Sequence, residues 1–185
     1  MVTGQDGRAR CPWGGAPDIY RRYHDEEWSR PVHGRDPLYE RLCLEAFQAG
    51  LSWITVLRKR DDFRAAFAGF DAERVAAFDD ADVDRLMSDV GIVRNRAKIE
   101  ASISNARVVL GLADLDELLW SFAPAPRRDR PRTVADVPAV TAESAAMAKA
   151  LKKLGLRFVG ATTAYALMQA TGMVDDHLSG CWRVP

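Results

Sequence analysis

The fold of this chain is constrained most by a succession of short segments in which apolar residues recur at helical spacing, with capping residues or glycines at their ends. Asp36 and Pro37, for example, form a start signal for a helix over about residues 37–49. Further helices are predicted over about residues 51–60, 61–67, 71–78, 79–87, 94–110, 115–122, 142–154 and 160–171. Only short stretches such as 156–159 could be extended, so the sequence predicts an all-α fold without internal repeats.

Composition and charge place the chain among ordinary globular proteins. Its 185 residues are 48% hydrophobic and 26 basic residues balance 26 acidic ones, which excludes a disordered polyelectrolyte and a fibrous repeat. We expect residues 1–10 to be a disordered tail and residues 11–185 to form a single domain of two helical lobes. No apolar run approaches the roughly 18 residues of a membrane span, and the first ten residues lack the apolar core of a signal peptide. The sequence therefore predicts a cytoplasmic protein without a membrane partner.

A carboxylate has an unusual place on the helix predicted over 37–49. Leu38, Leu42, Glu45 and Ala49 follow the spacing of one helix face, so Glu45 lies among core positions. One interpretation is a glutamate at the edge of the apolar stripe, where an arginine or a helix terminus satisfies it. The other is a polar group that lines an apolar pocket, where functional sites often lie. The spacing alone leaves both interpretations open.

Aromatic residues are concentrated near the N-terminus. The N-terminal stretch contains Trp13, Tyr20, Tyr23 and Trp28. Trp53 follows the predicted helix that carries Glu45. Such rings bind flat ligands, because stacking on an aromatic face contributes about 1 to 3 kcal/mol per base. The alternative is that these rings are simply part of the core.

Cysteines and histidines at the two ends of the chain form a candidate metal site. Its members are Cys11, His24, His177 and Cys181. Two thiolates and two imidazoles are a tetrahedral zinc set, although the wide separation of the two halves is unlike a zinc finger. Asp175 and Asp176 could orient a histidine ring. The alternative is a core thiol and a surface histidine brought near each other by chance.

Residues 86–99 are predicted to contain the end of one helix, a glycine turn and the start of a second helix. Basic residues lie at the start of this second helix. Gly91, Arg94, Arg96 and Lys98 together suit a DNA phosphate, because glycine amides, a helix N-terminus and cations all favour an anion. The alternative is a solvated basic face. Other residues that could extend this face are Arg58, Lys59, Arg60, the arginines of the proline-rich loop at 123–133, Lys149, Lys152, Lys153 and Arg157.

Seven segments spread over most of the chain carry these features in a fixed order. They are CPW at 11–13, YHDEEW at 23–28, LCLEAFQAGLSWITVLRKR at 42–60, GIVRNRAKI at 91–99, LWSF at 119–122, ALKKLGLRFVG at 150–160 and MVDDHLSGC at 173–181. Together they closely resemble the bacterial 3-methyladenine DNA glycosylase I family, whose order and spacing of motifs they keep. Pro12 and Ser29 depart from the family, since each replaces a residue that is often glycine.

The resemblance implies a helix-hairpin-helix DNA glycosylase fold in which residues 86–99 are the DNA-gripping hairpin. It also implies a structural Zn²⁺ ion that joins residues 11–24 to residues 177–181. The positions in this chain that match the zinc ligands are Cys11, His24, His177 and Cys181. Four protein ligands leave no open coordination position, so the ion would be structural rather than catalytic.

The resemblance also implies a pocket for a damaged base. Glu45 matches the family glutamate, while Trp13, Tyr23 and Trp53 match the stacking aromatics and Trp28 matches a nearby tryptophan. Gly50 and Leu51 correspond to the wedge that fills the gap left by an extruded nucleotide.

The implied activity is hydrolysis of the N-glycosidic bond of 3-methyladenine in alkylated double-stranded DNA by a monomer, through base flipping and without lyase activity. Methylation at N3 makes the adenine cationic, so it departs as a neutral base without a general acid. Glu45 would accept a hydrogen bond from the base and, as an anion, favour the cationic substrate. Two alternatives differ in class: a zinc-containing module that binds alkylated DNA without cleaving it, and a zinc hydrolase in which one ligand is misassigned.

Overall fold

The computed structural model describes residues 1–126 and 129–183, which include ten α-helices. They are α1 Asp18–Glu26, α2 Arg35–Gln48, α3 Trp53–Arg58, α4 Arg60–Ala66, α5 Ala72–Ala76, α6 Asp80–Ser88, α7 Arg96–Leu110, α8 Leu115–Trp120, α9 Ala142–Lys153 and α10 Ala161–Ala170. Three 3-10 helices cover Pro12–Gly14, Ala68–Phe70 and Val134–Asp136. The predicted helical fold class is confirmed, since the described chain is mostly helical.

Side-chain caps set several helix starts. The Asp71 carboxyl accepts hydrogen bonds from two backbone N–H groups of α5, and the Asp79 carboxyl does the same for α6. Both aspartates stand at the starts of segments for which the sequence predicts helices, 71–78 and 79–87. Asn95 caps α7 through its side-chain oxygen, so this helix begins at Arg96, two residues later than predicted.

Helix α1 is missing from the predicted series. It follows the N-cap residue Pro17 and is short, and its inward face is aromatic rather than aliphatic, with Tyr23 buried. The sequence pattern there indicated an aromatic cluster but no helix. Because α1 exists, Tyr23 and His24 lie one helical turn after Tyr20 on the same rigid element.

Residues 1–10, for which the sequence predicts a disordered tail, include two short strands. Strands β1 (Val2–Thr3) and β2 (Ala9–Arg10) pair antiparallel. The Arg10 side chain is only 2% exposed, and its Nη2 lies 2.7 Å from a carboxylate oxygen of Asp25. A buried guanidinium needs such a partner, and this ion pair fixes the hairpin to α1.

Helix α2 lies at the centre of the core. It contacts α3, α5, α7, α8 and α10. Leu38, Leu42, Leu44 and Phe47 are fully buried, and each such side chain contributes roughly 1.5 to 3 kcal/mol to folding. Burial on almost every side fixes the rotation of α2, and this holds Glu45 in one place. None of the described helices combines the length and apolar character that a membrane span requires.

The proline- and arginine-rich stretch over 123–133 has no helix or strand in its described part, as predicted, while Arg127 and Arg128 lie outside the described residues. The loop contacts the C-terminal segment, since the carbonyl of Pro131 accepts a hydrogen bond of 2.9 Å from the Ser179 N–H. Residues 156–159 are not a strand.

Candidate functional site

A cavity of about 320 Å³ opens between α1, α2, α3 and α10. Its lining residues are Cys11, Trp13, Tyr20, Tyr23, Trp28, Glu45, Gln48, Trp53, Val134, Val137, Ala166, Gln169, Asp176 and Leu178. The structure therefore brings together Glu45 and all four aromatic residues that the sequence assigned to base binding. A volume of this order suits a small planar molecule.

Aromatic rings form the walls of the cavity. The rings of Tyr23 and Trp53 lie 5.3 Å apart, and the indole of Trp13 meets that of Trp28 edge to face at 4.9 Å. These separations are typical of packed aromatic pairs, so each ring holds its neighbour in position. The indole N–H of Trp53 is buried without a hydrogen-bond partner among the described residues.

Glu45 is the acidic group of α2 at this cavity and is only 6% exposed. Burial raises the pKa of its carboxyl to about 8, against a weaker opposing effect of the Arg41 charge. Within the described chain, no hydrogen bond to this carboxyl contributes to its pKa. The unliganded carboxyl is therefore mostly protonated at neutral pH, and a cation in the cavity would favour its ionised form.

An ion-pair network missed by the sequence analysis lies beside the cavity. Glu27 accepts hydrogen bonds of 2.6 and 2.8 Å from the guanidinium of Arg60 and one of 3.3 Å from Arg41. Arg60 is only 11% exposed, so it contributes little to a solvent-facing basic surface. The network joins the residue that follows α1 to α2 and α4. Helices α1 and α2 carry Tyr23 and Glu45.

Four polar or partly polar lining residues were not assigned to the base pocket. Gln48 and Gln169 were missed, while Tyr20 was noted only in the aromatic cluster and Asp176 only as a possible partner of a histidine ring. Tyr20 accepts a hydrogen bond of 2.9 Å from the Ile54 N–H and so caps α3. Asp176 accepts one of 2.9 Å from the Gln169 side chain, and the two residues lie on different segments of the C-terminal region. Gln48 follows Glu45 at i+3, a spacing that would have placed it on the same face of α2.

Two cysteines and a histidine from opposite ends of the chain lie together beside the cavity. The candidate ligand atoms of Cys11, His24 and Cys181 are all within 4.8 Å of one another, and all three residues are buried. This group could hold a metal ion. Cys43, the third cysteine, lies apart from it in the core.

His177 lies next to this group. Its ring centroid is 4.8 Å from that of His24, and its Nε2 is buried without a partner among the described residues. The Nδ1 atoms of both histidines are occupied: His24 Nδ1 lies 2.8 Å from Asp25 and His177 Nδ1 lies 2.7 Å from Asp175. Each ring is thus oriented by a carboxylate, as ligating histidines commonly are.

The predicted hairpin is a loop over 89–95 between α6 and α7. Its Gly91 N–H donates a hydrogen bond of 2.7 Å to the Asp89 carboxyl, so this amide is already occupied. Lys59 stabilises the loop through bonds of 2.8 and 3.0 Å to the carbonyls of Val90 and Gly91. Arg94 is exposed at the end of the loop.

The basic residues of the hairpin differ in their surroundings. Arg96 is half exposed, and its guanidinium lies 2.6 Å from Asp84 and 3.8 Å from Glu100. Lys98, which the sequence predicts as a phosphate contact, is only 7% exposed. Its ammonium group donates to the carbonyls of Phe47 and Ala49 at 2.8 and 2.6 Å, near the end of α2.

The predicted wedge residues lie in the turn that follows α2. Gly50 has a φ of 82°, a conformation that favours glycine, and Leu51 is 42% exposed although it is a large apolar residue. The turn follows Gln48, the last residue of α2 and one of the residues that line the cavity.

The helical scaffold surrounds a small cavity with indole and phenol rings and buries the carboxyl groups of Glu45 and Asp176 at it, an arrangement suited to a flat heterocyclic ring. The family model for methyladenine glycosylase matches residues 13–184. The chain belongs to this methyladenine glycosylase family.

Individual relatives agree with this assignment. DNA-3-methyladenine glycosylase 1 of Escherichia coli (strain K12) is 46% identical over 181 residues, which are 95% of this chain and 97% of that protein. A crystal structure of 3-methyladenine DNA glycosylase I has a TM-score of 0.92 and 45% identity, covering 96% of this chain and all of the other. A solved variant of 3-methyladenine DNA glycosylase I in complex with 3-methyladenine has a TM-score of 0.87 and 31% identity, covering 95% and 97% of the two chains.

Proposed function

We propose that this protein is a DNA-3-methyladenine glycosylase, an enzyme of base excision repair that hydrolyses the bond between 3-methyladenine and deoxyribose. The observation that carries the proposal is the buried carboxyl of Glu45 within a ring-lined cavity. The name of the Escherichia coli relative and the 3-methyladenine bound to the solved variant support it.

In the proposed mechanism the damaged nucleotide leaves the duplex and its base enters the cavity. Tyr23 and Trp53 contact the base through stacking and cation–π attraction, which favour an electron-poor ring. The cationic base lowers the pKa of Glu45, and the resulting carboxylate accepts a hydrogen bond from the base. Because 3-methyladenine departs as a neutral molecule, no side chain has to protonate it, and water completes the hydrolysis at the sugar carbon.

We expect kcat/KM for excision to rise with pH up to a value near 8 and then to level off. The physical reason is that burial holds the free carboxyl of Glu45 protonated below this pH, while the cationic substrate requires the anion. The measurement is single-turnover release of 3-methyladenine from alkylated duplex between pH 6 and 9 at subsaturating enzyme concentrations, where the rate is proportional to kcat/KM. The rates are corrected for spontaneous loss of the base. Glu45→Gln should remove this rise, and a wild-type rate that falls with pH over this range would contradict the assignment.

We also propose that a Zn²⁺ ion joins the two ends of the chain, held by Cys11, His24, His177 and Cys181. Three of these residues form the buried group that could hold a metal, and the fourth has a buried, unpartnered Nε2 beside it. Two thiolates and two imidazoles are a common ligand set of structural zinc. Bound there, the ion would stabilise the wall of the cavity, since Cys11 also lines it.

We propose that α6, the loop over 89–95 and α7 act as a helix-hairpin-helix element on double-stranded DNA, with Leu51 as the wedge. The exposure of Arg94 and Leu51 supports this arrangement. A chromosomal DNA substrate would place the enzyme in the cytoplasm. A protein of this size would bind duplex DNA as a monomer of two helical lobes.

The hairpin assignment predicts that Arg94→Ala weakens duplex binding several-fold and reduces the dependence of affinity on salt by about one released counterion. Arg96→Ala should have a smaller effect, because Asp84 already neutralises this guanidinium. The measurement is fluorescence anisotropy of labelled duplex at several salt concentrations. Equal salt dependence in wild type and Arg94→Ala would contradict a phosphate contact at this position.

The proposed activity is tested by chromatography of the bases that the metal-replete protein releases from methylated duplex DNA. Enzymatic release of free 3-methyladenine is the expected result. Binding of the methylated duplex without base release would instead favour a DNA-binding module and overturn the proposal.

A further inference from the structure

Lys98 is a buried cation without a carboxylate partner in the described parts of the chain. Burial lowers the pKa of its ammonium group, with no charged neighbour to compensate. Its hydrogen bonds go to backbone instead: Nζ lies 2.8 Å from the Phe47 carbonyl and 2.6 Å from the Ala49 carbonyl. A charge in this environment is costly unless such bonds stabilise it, and here it complements the negative end of the α2 dipole.

One of these bonds fixes the conformation of the turn after α2. Ala49 has φ −49° and ψ 116°, and Gly50 follows with φ 82°. The turn is closed by a hydrogen bond of 2.6 Å from the Leu51 N–H to the Gln48 carbonyl. These are the features of a type II turn, which differs from type I by the orientation of its central peptide. The Ala49 carbonyl belongs to that peptide, so Lys98 holds it in the type II orientation.

Lys98 also links this turn to the hairpin. It lies in the first turn of α7, and its own backbone N–H donates to the side chain of the capping residue Asn95. The loop over 89–95 ends at this cap. The same residue therefore joins the start of the helix behind the hairpin to the turn that carries Leu51.

We propose that Lys98 is a positioning residue that presents Leu51 to the duplex and couples docking of the hairpin to extrusion of the damaged nucleotide. The inference rests on the proposed glycosylase function, in which Leu51 fills the gap left by the base. Because Lys98 is buried, it would contact neither the base nor a phosphate.

The test is a double-mutant cycle between Lys98→Met and Leu51→Ala. Methionine retains most of the buried volume but cannot donate to the two carbonyls. We expect Lys98→Met to slow single-turnover excision from duplex by about tenfold or more, as misplacement of a positioning group does. Extrusion, followed by 2-aminopurine fluorescence beside the lesion, should fall in parallel. Affinity for free 3-methyladenine should change less than about twofold, because the cavity remains intact.

The cycle separates coupling from general damage. If Lys98 acts through Leu51, the double variant will be little slower than either single variant, whereas independent losses will multiply. Multiplying losses, or equal weakening of free-base binding, would overturn the proposal. Arg74→Met, which removes an exposed basic residue from α5, is the matched control and should retain the wild-type rate.

A second substitution at Lys98 and the wild-type rate complete the test. If Lys98→Met does not fold, Lys98→Arg is used, because it keeps the charge while its larger planar head fits the two carbonyls poorly. This variant should show an intermediate loss and the same non-additivity, and a wild-type rate would overturn the proposal. If the wild-type protein does not excise 3-methyladenine, the proposed glycosylase function is wrong. If it does excise the base but the double-mutant cycle shows no coupling, only the proposed role of Lys98 is wrong.

Discussion

Glu45→Gln is expected to lower single-turnover excision of 3-methyladenine by about 100-fold, the scale of losing one preorganised electrostatic contact. Glutamine keeps the shape of the side chain and can still accept a hydrogen bond, but it cannot carry the charge that favours a cationic base. Binding to undamaged duplex should change by less than about threefold, because Glu45 is buried and the proposed DNA contacts lie elsewhere. An equal loss of excision and of duplex binding would show that the residue has a general structural role.

The same substitution should stabilise the protein at alkaline pH. Folding raises the pKa of Glu45 from its ordinary value of 4.5 to about 8. The carboxyl therefore destabilises the folded state progressively as the pH rises from about 4.5 to about 8. A shift of this size corresponds to roughly 3 to 5 kcal/mol, which glutamine does not incur. Calorimetry at pH 6 and pH 9 should show a larger gain in Tm at the higher pH. Reduced activity with increased stability identifies a residue kept for function.

Cys181→Ser is expected to abolish stoichiometric zinc binding and to lower Tm. Loss of a structural metal ligand costs several kcal/mol, and about 3 kcal/mol shifts Tm by roughly 6 to 12 °C in a chain of this size. The measurements are the zinc content of the purified protein by mass spectrometry and its thermal unfolding with and without a chelator.

Cys43→Ser is the matched control, because this cysteine is equally buried but lies outside the metal group. It should retain one zinc per chain even if the added hydroxyl lowers its stability. Chelation should then destabilise the wild type and Cys43→Ser but leave Cys181→Ser unchanged. Unaltered zinc content in Cys181→Ser would remove this residue from the ligand set.

Local signals in the sequence were sufficient to predict most helices and the position of Glu45 on the apolar face of its helix. Capping aspartates such as Asp71 and Asp79 act on their own backbone within three residues, so their effect is visible in the sequence. The position of Glu45 on an otherwise apolar helix face likewise depends only on helical periodicity. The resemblance to a known family then selected the pocket interpretation from two that the spacing left open.

The residues that the sequence could not place depend on contacts between distant segments. Lys98 has the pattern of a phosphate-binding residue, and only packing of α7 against α2 shows that it bonds to backbone. Arg10 looked like part of a tail because its partner Asp25 follows 15 residues later. Gln169 and Asp176 reach the cavity through the packing of α10 and the C-terminal segment, for which a single sequence carries no signal.

A crystal structure of the protein with bound 3-methyladenine would show whether the cavity beside Glu45 receives the alkylated base. We expect the base between the rings of Tyr23 and Trp53, with a carboxylate oxygen of Glu45 within hydrogen-bond distance of it. A base bound outside the cavity, or a Glu45 carboxyl turned away from the base, would show that this cavity is not the base-binding site.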